Sequence, residues 1–130
     1  MKTAVVLLSG FLAQSAFAST SCREIDPALD EDGTSCAAQE LAHADAKLNK
    51  IYRELLAKLD FESKHNSGAL NAKGRLIDAQ RAWVQLRDLD CEAVFDYLVD
   101  GTVRVGAQMS CQLQHTEERT QQLTQLLDGS

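Results

Sequence analysis

Few residues in this sequence are arranged to do chemistry. Its four cysteines, Cys22, Cys36, Cys91 and Cys111, contain no tight C-x-x-C knuckle of the kind that holds zinc. All four lie beyond an expected export-signal cleavage site, in a compartment that permits disulfides, and oxidised sulfur cannot serve as a thiolate nucleophile. His43, His65 and His115 each lack a second histidine at i, i+4 on a helix. No serine sits in a G-x-S-x-G setting. The acids Asp88/Asp90 and Glu117/Glu118 diverge on a helix and read as solvated faces. Aligning Gly33 of Asp30-Glu31-Asp32-Gly33 with the glycine of an EF-hand loop puts Ala28 at the first ligand position and Gln39 at the last. Both end carboxylates of a calcium loop are then missing. These patterns predict a chain that is not an enzyme and needs no metal or cofactor.

The most informative polar residues are Gln80, Trp83, Arg87 and Cys91, spaced by three, four and four and therefore on one helical face. A guanidinium on a packing face must find a partner, because an unpaired buried charge costs several kcal/mol. A preceding helical segment offers Asp45, Asn49 and Tyr52, spaced by four and three beside its own apolar stripe. The expected pair is Arg87 with Asp45, and Asp88 is the fallback. This cluster (Asp45, Asn49, Tyr52, Gln80, Trp83, Arg87, Asp88) suits a clamp that fixes helix register better than a ligand pocket. A small-ligand carrier would need a cavity beside Trp83 and Arg87.

The elements that must position these residues are helices. Ala37, Leu41, Ala44, Leu48, Ile51, Leu55 and Leu59 step by four and three, which predicts a helix over 36–60 about 37 Å long, with Ser35 as N-cap. Phe61 to Gly68 reads as a connection. A second helix is expected over about 69–99 with the stripe Leu70, Leu76, Ile77, Gln80, Trp83, Arg87, Cys91, Val94 and Leu98. Gly74 weakens its start and allows a kink there. Asp100-Gly101 ends it, and Thr102 to Gly106 reads as a loop with slight strand character. A third helix over about 107–127 carries Met109, Leu113, Thr116, Thr120, Leu123 and Leu127. The fold class expected is all-α, a small antiparallel three-helix bundle over 36–130. Two disulfides would staple a domain this small. Four cysteines allow three connectivities. Local closure favours Cys22–Cys36 and Cys91–Cys111, each worth ~3 kcal/mol in the chain-entropy model.

Residues 1–18 differ from the rest. Lys2, a short apolar run broken by Ser9, Gly10 and Gln14, and Ala16-Phe17-Ala18 have the form of a cleaved signal peptide. Ser19-Thr20-Ser21 before Cys22 lacks the apolar residue of a lipobox. Residues 19–35 form an irregular acidic leader. Loss of residues 1–18, with Lys2 their one charged side chain, leaves 112 residues with twelve cations and nineteen acids, a charge of −7. Such a chain repels nucleic-acid phosphates and is attracted to basic proteins. No helical stripe has the basic polar face of a membrane-surface helix. The expected location is periplasmic or secreted, in a Gram-negative envelope.

Asp45-x-x-Leu48-Asn49-x-x-Tyr52, Ala79-Gln80-x-x-Trp83-x-x-x-Arg87-Asp88-x-x-Cys91, then Cys111 and Thr116-x-x-Arg119-Thr120-x-x-Leu123 resemble the LprI-like lysozyme-inhibitor domain family. The likeness runs from about Cys22 to Leu127. It implies a small exported helical protein whose partner is a lysozyme or similar wall hydrolase, blocked sterically and electrostatically. The alternative is an envelope accessory or stress-related interaction module without inhibitory activity. Relatives often carry a Gly-Gly-Ser-like stretch and a proline before the last cysteine. Here the sequence is Asp100-Gly101-Thr102-Val103-Arg104-Val105, which bears on partner choice. Lysozyme clefts hold two catalytic carboxylates, so Arg104, flanked by Asp100 and Thr102, is the candidate plug. An ordinary exposed arginine is the simpler account.

Overall fold

Three apolar periodicities become three long helices. The computed structural model describes residues 34–99, 101 and 103–129. These form α1 (Thr34–Glu62), α2 (Ser67–Tyr97) and α3 (Val103–Gly129), with no strand among the described residues. The expected signal peptide and the leader as far as Gly33 lie outside the described residues, as do Asp100, Thr102 and Ser130.

The helix ends differ from the expected ones for local reasons. α1 begins at Thr34, so Ser35 lies inside the helix and is not its cap. α2 begins two residues earlier than expected because Asn66 caps it. The Asn66 backbone is extended, and its side-chain oxygen accepts the Gly68 N–H at 2.9 Å. What read as a connecting Asn-Ser-Gly run is therefore a helix start. α2 continues through Gly74 as one element. Gly101, at φ +99°, takes the left-handed conformation that a side chain disfavours and turns the chain into α3. α3 starts at Val103, not Ala107, so the β-branched Val103 and Val105 are helical. Residues 104–109 are half-buried there, and packing overrides their weak strand preference.

Cross-links between helices give their directions. Lys73 pairs with Asp60 and Arg87 with Asp45, so advancing along α2 means retreating along α1. Likewise Gln80 meets Arg119, Arg87 meets Thr116 and Cys91 bonds Cys111. α2 is thus antiparallel to both neighbours, and α1 runs parallel to α3. The α1–α3 interface is the most extensive and α1–α2 the smallest. Lys58 Nζ donates to the Leu127 carbonyl at 2.9 Å, placing a cation on the α3 C-terminus, where free carbonyls and the helix dipole favour it.

Leu48, Leu55 and Leu123 are almost fully buried, with Ile51, Tyr52, Leu59, Leu76, Trp83 and Leu127 packed around them. α2 presents a slightly different stripe from the expected one. Ala69 is buried, whereas Leu70 is 58% exposed. Stepping back from Trp83 through Gln80, Leu76 and Lys73 by three, four and three lands next on Ala69. Leu70 lies about 100° further round the helix.

Cys91 and Cys111 form a disulfide, with Cys91 fully buried, and no described cysteine is free. The second expected bridge, Cys22–Cys36, involves Cys22, outside the described residues.

Two stability outcomes follow. Replacing Cys91 and Cys111 by serine removes a cross-link between residues 20 apart and lowers unfolding free energy by about 3 kcal/mol in urea titrations. Gly74 is exposed, and a Cβ placed there meets nothing within 4 Å, so Gly74→Ala raises stability by about 0.5–1 kcal/mol in the same titration.

Candidate functional site

Where residues of α1, α2 and α3 meet around Arg87, the contacts are polar. The Arg87 side chain is only 15% exposed. Its Nη1 donates to Asp45 Oδ1 on α1 at 3.0 Å and to Thr116 Oγ1 on α3 at 3.2 Å, while Nε donates to Asp88 Oδ1 on α2 at 3.0 Å. One guanidinium therefore ties all three helices. Its remaining face lies over the Trp83 ring, 5.2 Å from the centroid. Both carboxylates stay partly hydrated, at 41% and 43% exposure, which limits their desolvation cost.

Thr116 is fully buried and satisfies its hydroxyl twice. It donates to the Gln112 carbonyl at 2.8 Å and accepts from Arg87. Thr120 and Thr124 repeat the donation, to the Thr116 and Thr120 carbonyls at 2.8 Å each. This i−4 back-bonding lets hydroxyls sit on a packed face without orphaned donors. Among the described residues, no buried side-chain nitrogen or oxygen lacks a partner.

Beside this clamp, Gln80 offers its amide oxygen to Arg119 Nε at 3.0 Å, and Arg119 Nη1 donates to Gln122 Oε1 at 3.1 Å. Burial pushes the Arg119 guanidinium below its ordinary pKa, with the nearby Tyr52 hydroxyl opposing the shift. Tyr52 packs against the leucine core. Of the residues expected to cluster, Asp45, Gln80, Trp83, Arg87 and Asp88 join these polar contacts, and Tyr52 borders them. Asn49 is exposed on α1 and joins none of the polar contacts among the described residues.

Thr116 and Arg119 are members that sequence reasoning missed. Both stand in the motif that carries the resemblance, and Thr116 also on the apolar stripe of the third helix, but neither spacing pairs them with Arg87 or Gln80. The available signal was the Thr116, Thr120, Thr124 spacing, since threonines at i, i+4 can bury their hydroxyls against their own helix.

A second grouping surrounds the disulfide. Donor atoms of Cys91, Cys111 and His115 all lie within 4.8 Å of one another, and His115 Nε2 is 3.4 Å from Asp90 Oδ2. Cys111 and His115 are four apart on α3, a spacing that a search for histidine pairs passes over. With the two sulfurs bonded to each other, neither is a thiolate able to ligate a metal. The imidazole packs beside a structural bridge.

Arg104 lies in the first turn of α3, not on a free loop, and is half-buried. Its guanidinium carbon stacks 3.9 Å over the centroid of the Phe95 ring. Asp100 and Thr102, the other expected contact residues, lie outside the described residues. The face of Trp83 that a ligand would have approached carries the Arg87 guanidinium.

Removing the guanidinium takes the shared partner from two half-exposed carboxylates and one of the two hydrogen bonds from Thr116. Arg87→Ala should lower unfolding free energy by about 2–3 kcal/mol, and Asp45→Ala by about 1 kcal/mol. In a double-mutant cycle the two changes couple by about 1 kcal/mol. Strict additivity would show that the ion pair does not hold α1 to α2.

The chain matches the family model described as lysozyme inhibitor LprI over residues 22–123, which takes in α1, α2 and most of α3. An uncharacterised protein of Rhizobium meliloti (strain 1021) is 33% identical over 102 residues, covering 73% of this chain and 71% of the relative. No solved structure matches. The family match extends across the Arg87 clamp and the Cys91–Cys111 bridge, and the chain belongs to the lysozyme inhibitor LprI family.

Proposed function

We propose that this chain is an exported, non-catalytic protein that binds a lysozyme or related wall hydrolase and blocks it sterically and electrostatically. The family match over residues 22–123 carries this reading. The clamp supports it, because the residues that could have formed an active centre are engaged in holding helices together. The charge supports it as well. A chain at −6, or −7 without its first eighteen residues, is steered toward a basic enzyme.

In this reading Met1–Ala18 is a signal peptide, and the mature protein works in the periplasm or outside the cell. No helix among the described residues is long and apolar enough to cross a membrane. Cys36 is not free, and Cys91 and Cys111 are joined to each other. In this reading a second disulfide joins Cys22 to Cys36 and secures the leader to α1. Arg104, with Asp100 and Thr102, supplies the contacts at the α2–α3 turn. Stacking on Phe95 restricts the Arg104 side chain in advance, which lowers the entropy lost when it meets a carboxylate.

The test is a lysozyme activity assay with the purified, oxidised protein titrated at low and moderate salt. Dose-dependent inhibition is expected, weaker by roughly tenfold at the higher salt. Arg104→Ala should weaken it further without changing the far-UV circular dichroism. Full enzyme activity at saturating protein, with both basic and acidic lysozymes, would overturn this reading.

A further inference from the structure

The exposed large apolar residues are unevenly placed. Leu86, Leu89 and Tyr97 on α2 are 54%, 65% and 84% exposed, and Val99 and Val103 continue past the end of the helix at 73% and 71%. Ala82 and Ala93 are exposed as well, so Ala82, Leu86, Leu89, Ala93 and Tyr97 follow one another by four, three, four and four. At about 100° per residue these five fall within a stripe roughly 80° wide and 22 Å long. Gln80, Trp83, Arg87, Cys91 and Val94 occupy the packed side of the same helix, so the stripe is a second apolar face with no helix of the bundle covering it. A monomeric surface seldom carries such a face without a partner.

The charges around the stripe say what kind of partner fits. From Asp88 to Tyr97 the sequence has four acids (Asp88, Asp90, Glu92 and Asp96) and no lysine, arginine or histidine. Asp90 lies on one flank of the stripe, with Glu92 and Asp96 on the other. Arg87, just before that stretch, is turned inward and neutralised by Asp45 and Asp88. Arg81 at the start of the stripe lies beside Asp78, and His115 lies 3.4 Å from Asp90, which leaves Glu92 and Asp96 as the open acids of the rim. A second copy of this chain would set these acids against their own likeness, which is repulsive.

We propose that the outer face of α2, centred on Leu86, Leu89 and Tyr97 and rimmed by Asp90, Glu92 and Asp96, is the docking surface for a basic protein. This deepens the functional proposal and rests on it: the occupant is the basic lysozyme itself. The leucines and Tyr97 fill an apolar depression on that enzyme. The acids face its surrounding cations and speed the encounter. An aromatic anchor within an apolar centre and a polar rim is the usual anatomy of a stable interface.

The experiment measures binding of the oxidised full chain to a basic lysozyme by surface plasmon resonance, with an acidic lysozyme as control ligand. Three variants are compared with wild type: Leu89→Ser with Tyr97→Ala, Glu92→Gln with Asp96→Asn, and Leu70→Ser. Leu70 is an exposed leucine of α2 that lies off the stripe. All the changed side chains are exposed, and unchanged thermal melts would show that each variant folds. The apolar pair should weaken affinity on the order of 100-fold, chiefly through faster dissociation. The rim pair should slow association roughly tenfold at low salt and flatten its salt dependence. Leu70→Ser should match wild type.

Wild-type binding that all three variants retain would overturn the surface and leave the functional proposal standing. Failure of the wild type to bind would overturn both. A concentration-dependent dimer in sedimentation, dispersed by Leu89→Ser with Tyr97→Ala, would give the face to a second copy and overturn the basic partner.

Discussion

A guanidinium can enter the interior of a small helical protein only if every direction of its charge is answered. Arg87 meets that condition with one carboxylate from α1, one from its own helix, a threonine hydroxyl from α3 and an indole face. The cost of leaving any of these unmade is what gives the cluster its influence. Sliding α1 against α2 by one turn moves Asp45 about 5 Å and strands the charge. Leucine contacts alone would tolerate such a slip far better, because apolar burial has no direction. The ion cluster thus sets the register that the leucine core then fills.

The disulfide works on the same end of the bundle by different physics. Cys91 follows Arg87 by one turn, and Cys111 precedes Thr116 by five residues. The bridge and the Arg87–Thr116 contact therefore hold α2 to α3 within neighbouring turns. The bridge acts mainly by limiting the unfolded chain, whereas the clamp selects one packed arrangement. At the opposite end, where α1 turns into α2, the Asn66 cap and the Asp60–Lys73 pair do lighter work at the surface. Lys73 holds the Asp60 carboxyl below its ordinary pKa. That pair contributes at neutral pH and is lost only as acid protonates Asp60 below the usual carboxylate range.

This division leaves the outer side of α2 free. A helix with one face committed to a polar clamp and a core needs no apolar residues opposite. Leu86, Leu89 and Tyr97 are exposed there amid acids. The two faces of α2 thus differ, with the packed clamp on one side and the proposed docking surface on the other.

Much of this was legible in the sequence, for reasons that differ residue by residue. Helical periodicity is a local property, so the three helices and most of the α1 stripe follow from spacing alone. The need of Arg87 for a carboxylate is also readable, since an inward-facing charge among apolar neighbours has few solutions. Other features depend on which atoms meet across helices, and only the tertiary structure decided them. Arg87 is shared among three helices, Arg119 meets Gln80, and Ala69 is buried in place of Leu70 because helix rotation is settled by packing against partners distant in sequence. Val105 is helical because its partial burial outweighs a few tenths of a kcal/mol of propensity, and the exposed Val103 is the first residue of the same helix. The apolar stripe on α2 was present in the letters all along. Periodicity can mark two faces of one helix, but only packing shows which of them is already covered.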